Sequence, residues 1–212
     1  YLGYSYGTML GLVYAERHGD HLRAAVLDGI LDPTFTLEEW LTSQAVATED
    51  ALAEILDRCS RCSDGLGSLE AIVDAADTGV LNATQGLSPS DITRAAIVAT
   101  YDSTLADRLL DAVDDALDGD GNELRSLSDD FLGLASFDVY TAVSCLDNER
   151  PRDPAAFDAF VDRIAIVAPV LGPPIANELR PCASWPTGVA PPLEALSDAT
   201  APPMLLLGNT GD

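Results

Sequence analysis

Apolar positions along this chain change period twice. Thr8-Met9-Leu10-Gly11-Leu12-Val13-Tyr14-Ala15-Glu16-Arg17 is a mostly apolar stretch of helical length, with Gly19 predicted to close it in a left-handed cap. Leu22 to Gly29 follows as a short apolar run ending on an Asp-Gly turn signal, which predicts a buried strand. From about Phe35 to Ala168 the spacing is helical throughout, without strand alternation or internal repeat. Thr36-x-x-Glu39 forms a capping box ahead of a long helix whose stripe is Leu37, Trp40, Leu41, Leu52, Ile55 and Leu56. Ser88-Pro89 and Asp153-Pro154 each set a capping side chain before a proline at the first helical position. Further helices are predicted over Thr104 to Leu117, stopped by Gly119, and over Asp129 to Val143. Pro169-x4-Pro174 and Pro181 to Pro192 read as irregular, proline-rich connections. The last apolar run, Met204 to Leu207, predicts a strand that leads into the turn Gly208-Asn209-Thr210-Gly211-Asp212.

Helix then strand near the start and a strand at the end predict a parallel α/β sheet interrupted by helices. Gly3-Tyr4-Ser5-Tyr6-Gly7 fits that plan as a G-x-S-x-G nucleophile elbow. There a serine sits on a sharp strand-to-helix turn with its hydroxyl exposed, and the flanking glycines let strand and helix approach closely. The fold class expected is α/β: a partial α/β-hydrolase core of parallel strands with a large inserted helical cap. Residues 1–34 would form the elbow part of the core, 35–186 the cap with its proline-rich return, and 187–212 the core strand carrying an acid. Only Tyr1 and Leu2 precede the elbow, so the chain is expected to be a fragment of an enzyme.

Composition narrows the partners. The 212 residues are 47% hydrophobic, enough for one large domain or a core with an insertion, and not the composition of a disordered chain. All 11 basic residues other than histidine are arginine, set against 35 acids for a formal charge of -24. Such a surface repels phosphate backbones and anionic lipid, so nucleic acid is not an expected partner. It is either a solvated acidic shell or an attractor of substrates with a free ammonium group. No run approaches the length of a membrane span, and no cofactor or metal is expected.

The chemistry rests on Ser5 as nucleophile and Asp212 as the acid that orients a histidine, since in α/β-hydrolases the triad runs Ser, then Asp or Glu, then His along the chain. An Asp in a glycine-rich turn also has an ordinary reading as a turn residue. The segments that matter beside them are Gly3-Tyr4-Ser5-Tyr6-Gly7-Thr8, Leu27-Asp28-Gly29-Ile30-Leu31-Asp32-Pro33, Cys145-Leu146-Asp147, Cys182-Ala183-Ser184-Trp185-Pro186 and Leu206-Leu207-Gly208-Asn209-Thr210-Gly211-Asp212. In this order and over nearly the whole chain, these segments resemble the tripeptidyl aminopeptidase-like branch of the α/β-hydrolases, relatives of the prolyl aminopeptidases. The resemblance implies a secreted or cell-envelope serine exopeptidase acting on peptides with a free N-terminus, with a helical cap over the site. It places the nucleophile at Ser5 and the acid at Asp212. The Tyr6 backbone N–H would join the oxyanion hole.

Four cysteines allow three pairings. The resemblance favours Cys145 with Cys182, and Cys59 with Cys62 locally; a zinc or redox role for Cys59-x-x-Cys62 is the alternative, as are free thiols. Recognition of a free N-terminus calls for carboxylates facing the cleft, and Asp147 and Glu149 beside Cys145 are the candidates, unless they are solvated loop acids. A carboxylesterase or lipase on the same scaffold, or a non-catalytic binding module that kept the elbow, are the rival functions. His18 and His21 precede Asp212 and read as ordinary helix-end residues. With the triad histidine and the glycine-rich oxyanion segment expected outside these residues, the polypeptide 1–212 alone should show no measurable peptidase turnover. Normal turnover by that polypeptide would contradict this reading.

Overall fold

The computed structural model describes residues 1–134, 136–186 and 202–208. Three short strands, β1 (Leu2–Tyr4), β2 (Ala25–Asp28) and β3 (Met204–Leu207), form one parallel sheet in the order β1-β2-β3. Tyr4 pairs with Asp28 and Asp28 with Leu207, so the carboxyl ends of all three strands lie at one edge. Parallel neighbours need a crossover, and α1 (Tyr6–His18) supplies the one between β1 and β2. Leu27, in the middle strand, is completely buried, whereas Leu2, Leu205 and Leu206 are each more than half exposed. The all-apolar look of the last strand therefore does not translate into burial within this chain. Such a strand is enclosed only where both faces of the sheet are covered.

Most of the apolar core lies elsewhere, in the eight helices that the described residues form between β2 and β3. These are α2 (Leu37–Leu56), α3 (Gly65–Asp77), α4 (Pro89–Ala99), α5 (Ser103–Leu117), α6 (Asn122–Leu134), α7 (Phe137–Asp147), α8 (Pro154–Val167) and α9 (Gly172–Glu178). Leu37, Leu41, Leu52 and Leu56 put the predicted α2 stripe into a continuous cluster with Leu69, Ile92, Leu109, Leu124, Phe157 and Phe160. The Thr36 capping box forms in full: its hydroxyl accepts from the Glu39 N–H, and the Glu39 carboxylate accepts from the Thr36 N–H. Ser88 and Asp153 cap α4 and α8.

Several boundaries differ from those the sequence predicts. Gly19 is right-handed, not left-handed, because α1 runs on into a tight 3-10 turn over Gly19–His21. The single helix expected over Asp129 to Val143 is two, with α6 ending at Leu134 and α7 starting at Phe137 under the N-cap position Ser136. The Pro169–Pro174 connection is partly helical: Pro173 and Pro174 fall in the first turn of α9, where proline's missing N–H costs nothing. α3 has no capping box in its sequence; its N-cap Asp64 makes no side-chain cap bond.

Several buried polar groups inside the helical layer are bonded, whereas the Trp40 indole N–H and the Thr141 hydroxyl are buried without a hydrogen-bond partner among the described residues. Glu49, on α2, accepts from the Val170 and Leu171 N–H groups at 2.9 and 2.7 Å and ties α2 to the α8–α9 connection. Cys145 is bonded to Cys182, joining α7 to the 3-10 turn Arg180–Ser184, and Cys59 is bonded to Cys62. The Arg150 Nε–H donates to the Cys182 carbonyl at 2.7 Å beside that bridge.

Asp91, whose side chain is 6% exposed, faces the Arg94 guanidinium at 2.8 Å, and it also accepts from the Ser88 and Ser128 hydroxyls. Burial alone would push its carboxyl up, but these bonds outweigh it and hold it at about 2. A carboxylate depressed in the folded state contributes stability that is present above the unfolded value and lost as pH falls through the folded one. Between about pH 4 and pH 2 this group alone should remove about 2 kcal/mol of folding free energy. Chemical denaturation of the intact protein and its Asp91→Asn variant at pH 5 and near pH 2 should show the difference between them shrinking at the lower pH.

Candidate active site

β1 delivers the chain to Ser5, and the ladder continues into the turn: the Ser5 N–H donates to the Asp28 carbonyl at 3.0 Å, and the Gly29 N–H donates to the Leu207 carbonyl at 3.1 Å. Ser5 has φ 47° and ψ -120°, the one positive φ among the described residues other than glycine. A side-chain-bearing residue held there costs on the order of 1–3 kcal/mol and persists only where its surroundings over-determine it.

Gly3 is part of that determination, because a Cβ on it would lie 2.5 Å from the Gly7 carbonyl oxygen. The other tight glycine is Gly11, one turn beyond the motif: a Cβ there would meet the Tyr1 ring at 2.6 Å and the Leu27 side chain at 2.8 Å. Gly7 has only ordinary contact at 3.7 Å, so close approach of helix to strand is set by Gly3 and Gly11 rather than by the two motif glycines.

Thr8 completes the brace. It is fully buried, its hydroxyl donates to the Ser5 carbonyl at 2.6 Å, and it accepts from the Leu31 N–H at 3.0 Å. One side chain thus joins the turn before α1 to the chain leaving β2. Tyr6 is the first residue of α1, where a backbone N–H has no partner within the helix. Its phenol donates to the Asp147 carboxylate across to α7. Burial, followed by that bond and the Asp147 charge, pushes the phenol far above its ordinary value, so it stays protonated.

Ser5 opens on a cavity of about 540 Å³ whose walls come from the helical layer. Trp40, Gln44 and Thr48 of α2 line it with Tyr101, Phe131 of α6, Phe137 and Tyr140 of α7, and Ile175 and Glu178 of α9. Burial pushes the Glu178 carboxyl up to about 7 against the opposing field of Arg94. The Tyr140 phenol is also raised, by burial first and by the Glu178 charge second.

The expected site residues meet different fates. Ser5 and Tyr6 stand at the strand-to-helix turn. Asp212 lies outside the described residues, but the strand that leads toward it ends at Leu207, hydrogen-bonded beside Asp28 at the same edge as Ser5. Asp147 and Glu149 are exposed and do not line the cavity, although Asp147 reaches the elbow through Tyr6. His18 and His21 sit at the far end of α1 with their rings 5.9 Å apart, about 20 Å of helix away from Ser5. Glu178 carries no signal in the sequence, where it is one acid among 35, and Thr8 stands there only as the end of the elbow string and a helix residue, with no role assigned.

The family model described as alpha/beta hydrolase fold matches residues 1–66, which hold the elbow, α1, β2 and α2. A second, described as TAP-like protein, matches residues 168–212. The chain belongs to the α/β-hydrolase superfamily. Among curated α/β-hydrolase relatives, "Carboxylesterase B" of Mycobacterium tuberculosis is 33% identical over 219 residues, covering 93% of this chain and 42% of the relative. "Serine protease Hip1" of the same species is 28% identical over 243 residues, covering 100% of the chain and 46% of the relative. "Tripeptidyl aminopeptidase" of Streptomyces lividans is 28% identical over 235 residues, covering 100% and 43%. This α/β-hydrolase chain therefore spans less than half the length of these relatives.

Thr8→Val keeps the shape but leaves the half-buried Leu31 N–H without its partner, which should destabilise the protein by about 1–3 kcal/mol. Thr8→Ser, which retains the hydroxyl, should lose less. Urea denaturation of the intact protein carrying each variant checks the order.

Proposed function

We propose that this chain carries the nucleophile of a serine hydrolase, an exopeptidase that releases short peptides or amino acids from substrate N-termini. The observation that carries the reading is Ser5 itself, held at positive φ between strand and helix and opening on a half-open cavity under the helical layer. The Ser5 hydroxyl attacks the scissile carbonyl, a histidine takes its proton and returns it to the leaving amine, and water releases the acyl group. The Tyr6 N–H at the start of α1 faces the developing oxyanion. The distance of His18 and His21 from the elbow favours a histidine supplied from elsewhere in the protein. Asp212 is the acid that orients it, consistent with β3 ending at the elbow's edge of the sheet.

The helices from α2 to α9, with the return through residue 186, act as the cap and residues 1–34 and 187–212 as core. Asp147 and Glu149 serve the substrate amine at the rim, a role supported by the Tyr6 to Asp147 bond, which brings that carboxylate to the residue after the nucleophile. Two disulfides favour a compartment outside the cytoplasm. Among the described residues, no helix is long and apolar enough to cross a membrane.

A carboxylesterase is the second reading, favoured by the 33% identity to the relative of that name and by the aromatic lining of the cavity. A fluorophosphonate probe should label Ser5 in the intact protein and fail on Ser5→Ala. Peptide nitroanilides with free N-termini should be turned over better than N-blocked peptides or short acyl esters. A reversed preference would favour the esterase, and an unlabelled Ser5 would leave only a binding module.

A further inference from the structure

The cavity beside Ser5 holds a carboxylate for which catalysis by Ser5, a histidine and Asp212 has no use. Glu178 is the last residue of α9, where the helix presents its carbonyl ends and a negative side chain is poorly placed. Among the described residues its carboxylate has no hydrogen bond or salt bridge. The nearby Arg94 guanidinium is already bonded to Asp91 and Ser128. Glu178 shares the cavity wall with Trp40, Tyr101, Phe131 and Tyr140, and its charge reaches the Tyr101 and Tyr140 phenols. An acid left unpaired among aromatic rings is unfavourable by itself, and a cation arriving there would relieve it. Aromatic faces attract the same cation, and apolar walls suit a long alkyl stem with a charge at its tip.

We propose that Glu178 is a specificity-determining residue that receives the ammonium or guanidinium of a long basic side chain on the acyl portion of the substrate. The inference rests on the hydrolase reading and adds to it a side-chain preference separate from the N-terminal amine. The groups facing Glu178 are the Tyr101 and Tyr140 phenols, both pushed up and protonated at neutral pH, and the field of Arg94. With its carboxyl raised to about 7, Glu178 is ionised above that pH and neutral below it, so the preference for a basic side chain strengthens as pH rises.

The test uses the intact protein and two substrate pairs: arginine against citrulline nitroanilide, both with free amines, and alanine nitroanilide with its amine free or acetylated. At pH 8 the wild type should show a KM at least tenfold lower for arginine than for citrulline, narrowing below pH 6. Glu178→Gln should abolish that difference at all pH values and leave the alanine pair within twofold, while Glu178→Asp keeps part of it. Retained fluorophosphonate labelling of Ser5 in the variants shows that the fold and nucleophile survive. Equal KM for arginine and citrulline in a labelled wild type overturns the proposal alone. An effect of Glu178→Gln confined to the alanine pair also overturns it, by giving this acid to the N-terminal amine. Failure of the wild type to label overturns the hydrolase reading beneath it.

Discussion

The backbone of Ser5 is the point on which the remaining structure turns. At φ 47° it is strained, and the strain is held by bonds on both sides. The ladder from β2 fixes its N–H, the Thr8 hydroxyl fixes its carbonyl, and Gly3 lets the start of α1 come close enough for both. None of these contacts involves the serine side chain. The hydroxyl is thereby left outside the hydrogen-bonded frame and directed to the surface that the cavity meets, which is what a nucleophile requires.

The helical layer supplies the other half of the site. Its core is largely its own, built from α2 through α9, while the sheet buries little beyond Leu27, Ala25 and the residues under α1. The Tyr6 phenol on Asp147 links it to the elbow, and within the layer the Cys145 to Cys182 bridge anchors the end of α7 to the turn after α9. Because α7 and α9 also furnish Tyr140 and Glu178, the same links that seat the layer position the cavity walls. Electrostatics inside the layer divides sharply. Asp91 and Glu49 are buried and each accepts at least two hydrogen bonds, whereas Glu178 lines the aromatic cavity with no donor among the described residues.

Much of the architecture is legible in local pattern. Thr36-x-x-Glu39, Ser88-Pro89 and Asp153-Pro154 start helices because each satisfies orphan N–H groups with its own side chain, a property independent of distant contacts. The elbow is legible for the same reason, since a strained turn between two glycines is local chemistry. The errors fall where local signals compete. Gly19 could close a helix left-handed or continue it into a 3-10 turn, and contacts at the end of α1 chose the second. Asp129 to Val143 is apolar enough to read as one helix, yet the chain breaks before Phe137 and α7 turns toward Tyr6.

The order of residues alone thus determined the existence of the parallel strands, the helical insertion and a serine poised between strand and helix, because capping, periodicity and turn strain act within a few residues of one another. Which glycine lets α1 approach, which threonine braces the elbow and which acid enters the cavity were decided only by tertiary packing. Gly11, Thr8 and Glu178 look ordinary along the chain. Their roles come from Leu27, Leu31 and the aromatic walls, residues between 16 and 138 positions away that only the folded chain brings into contact.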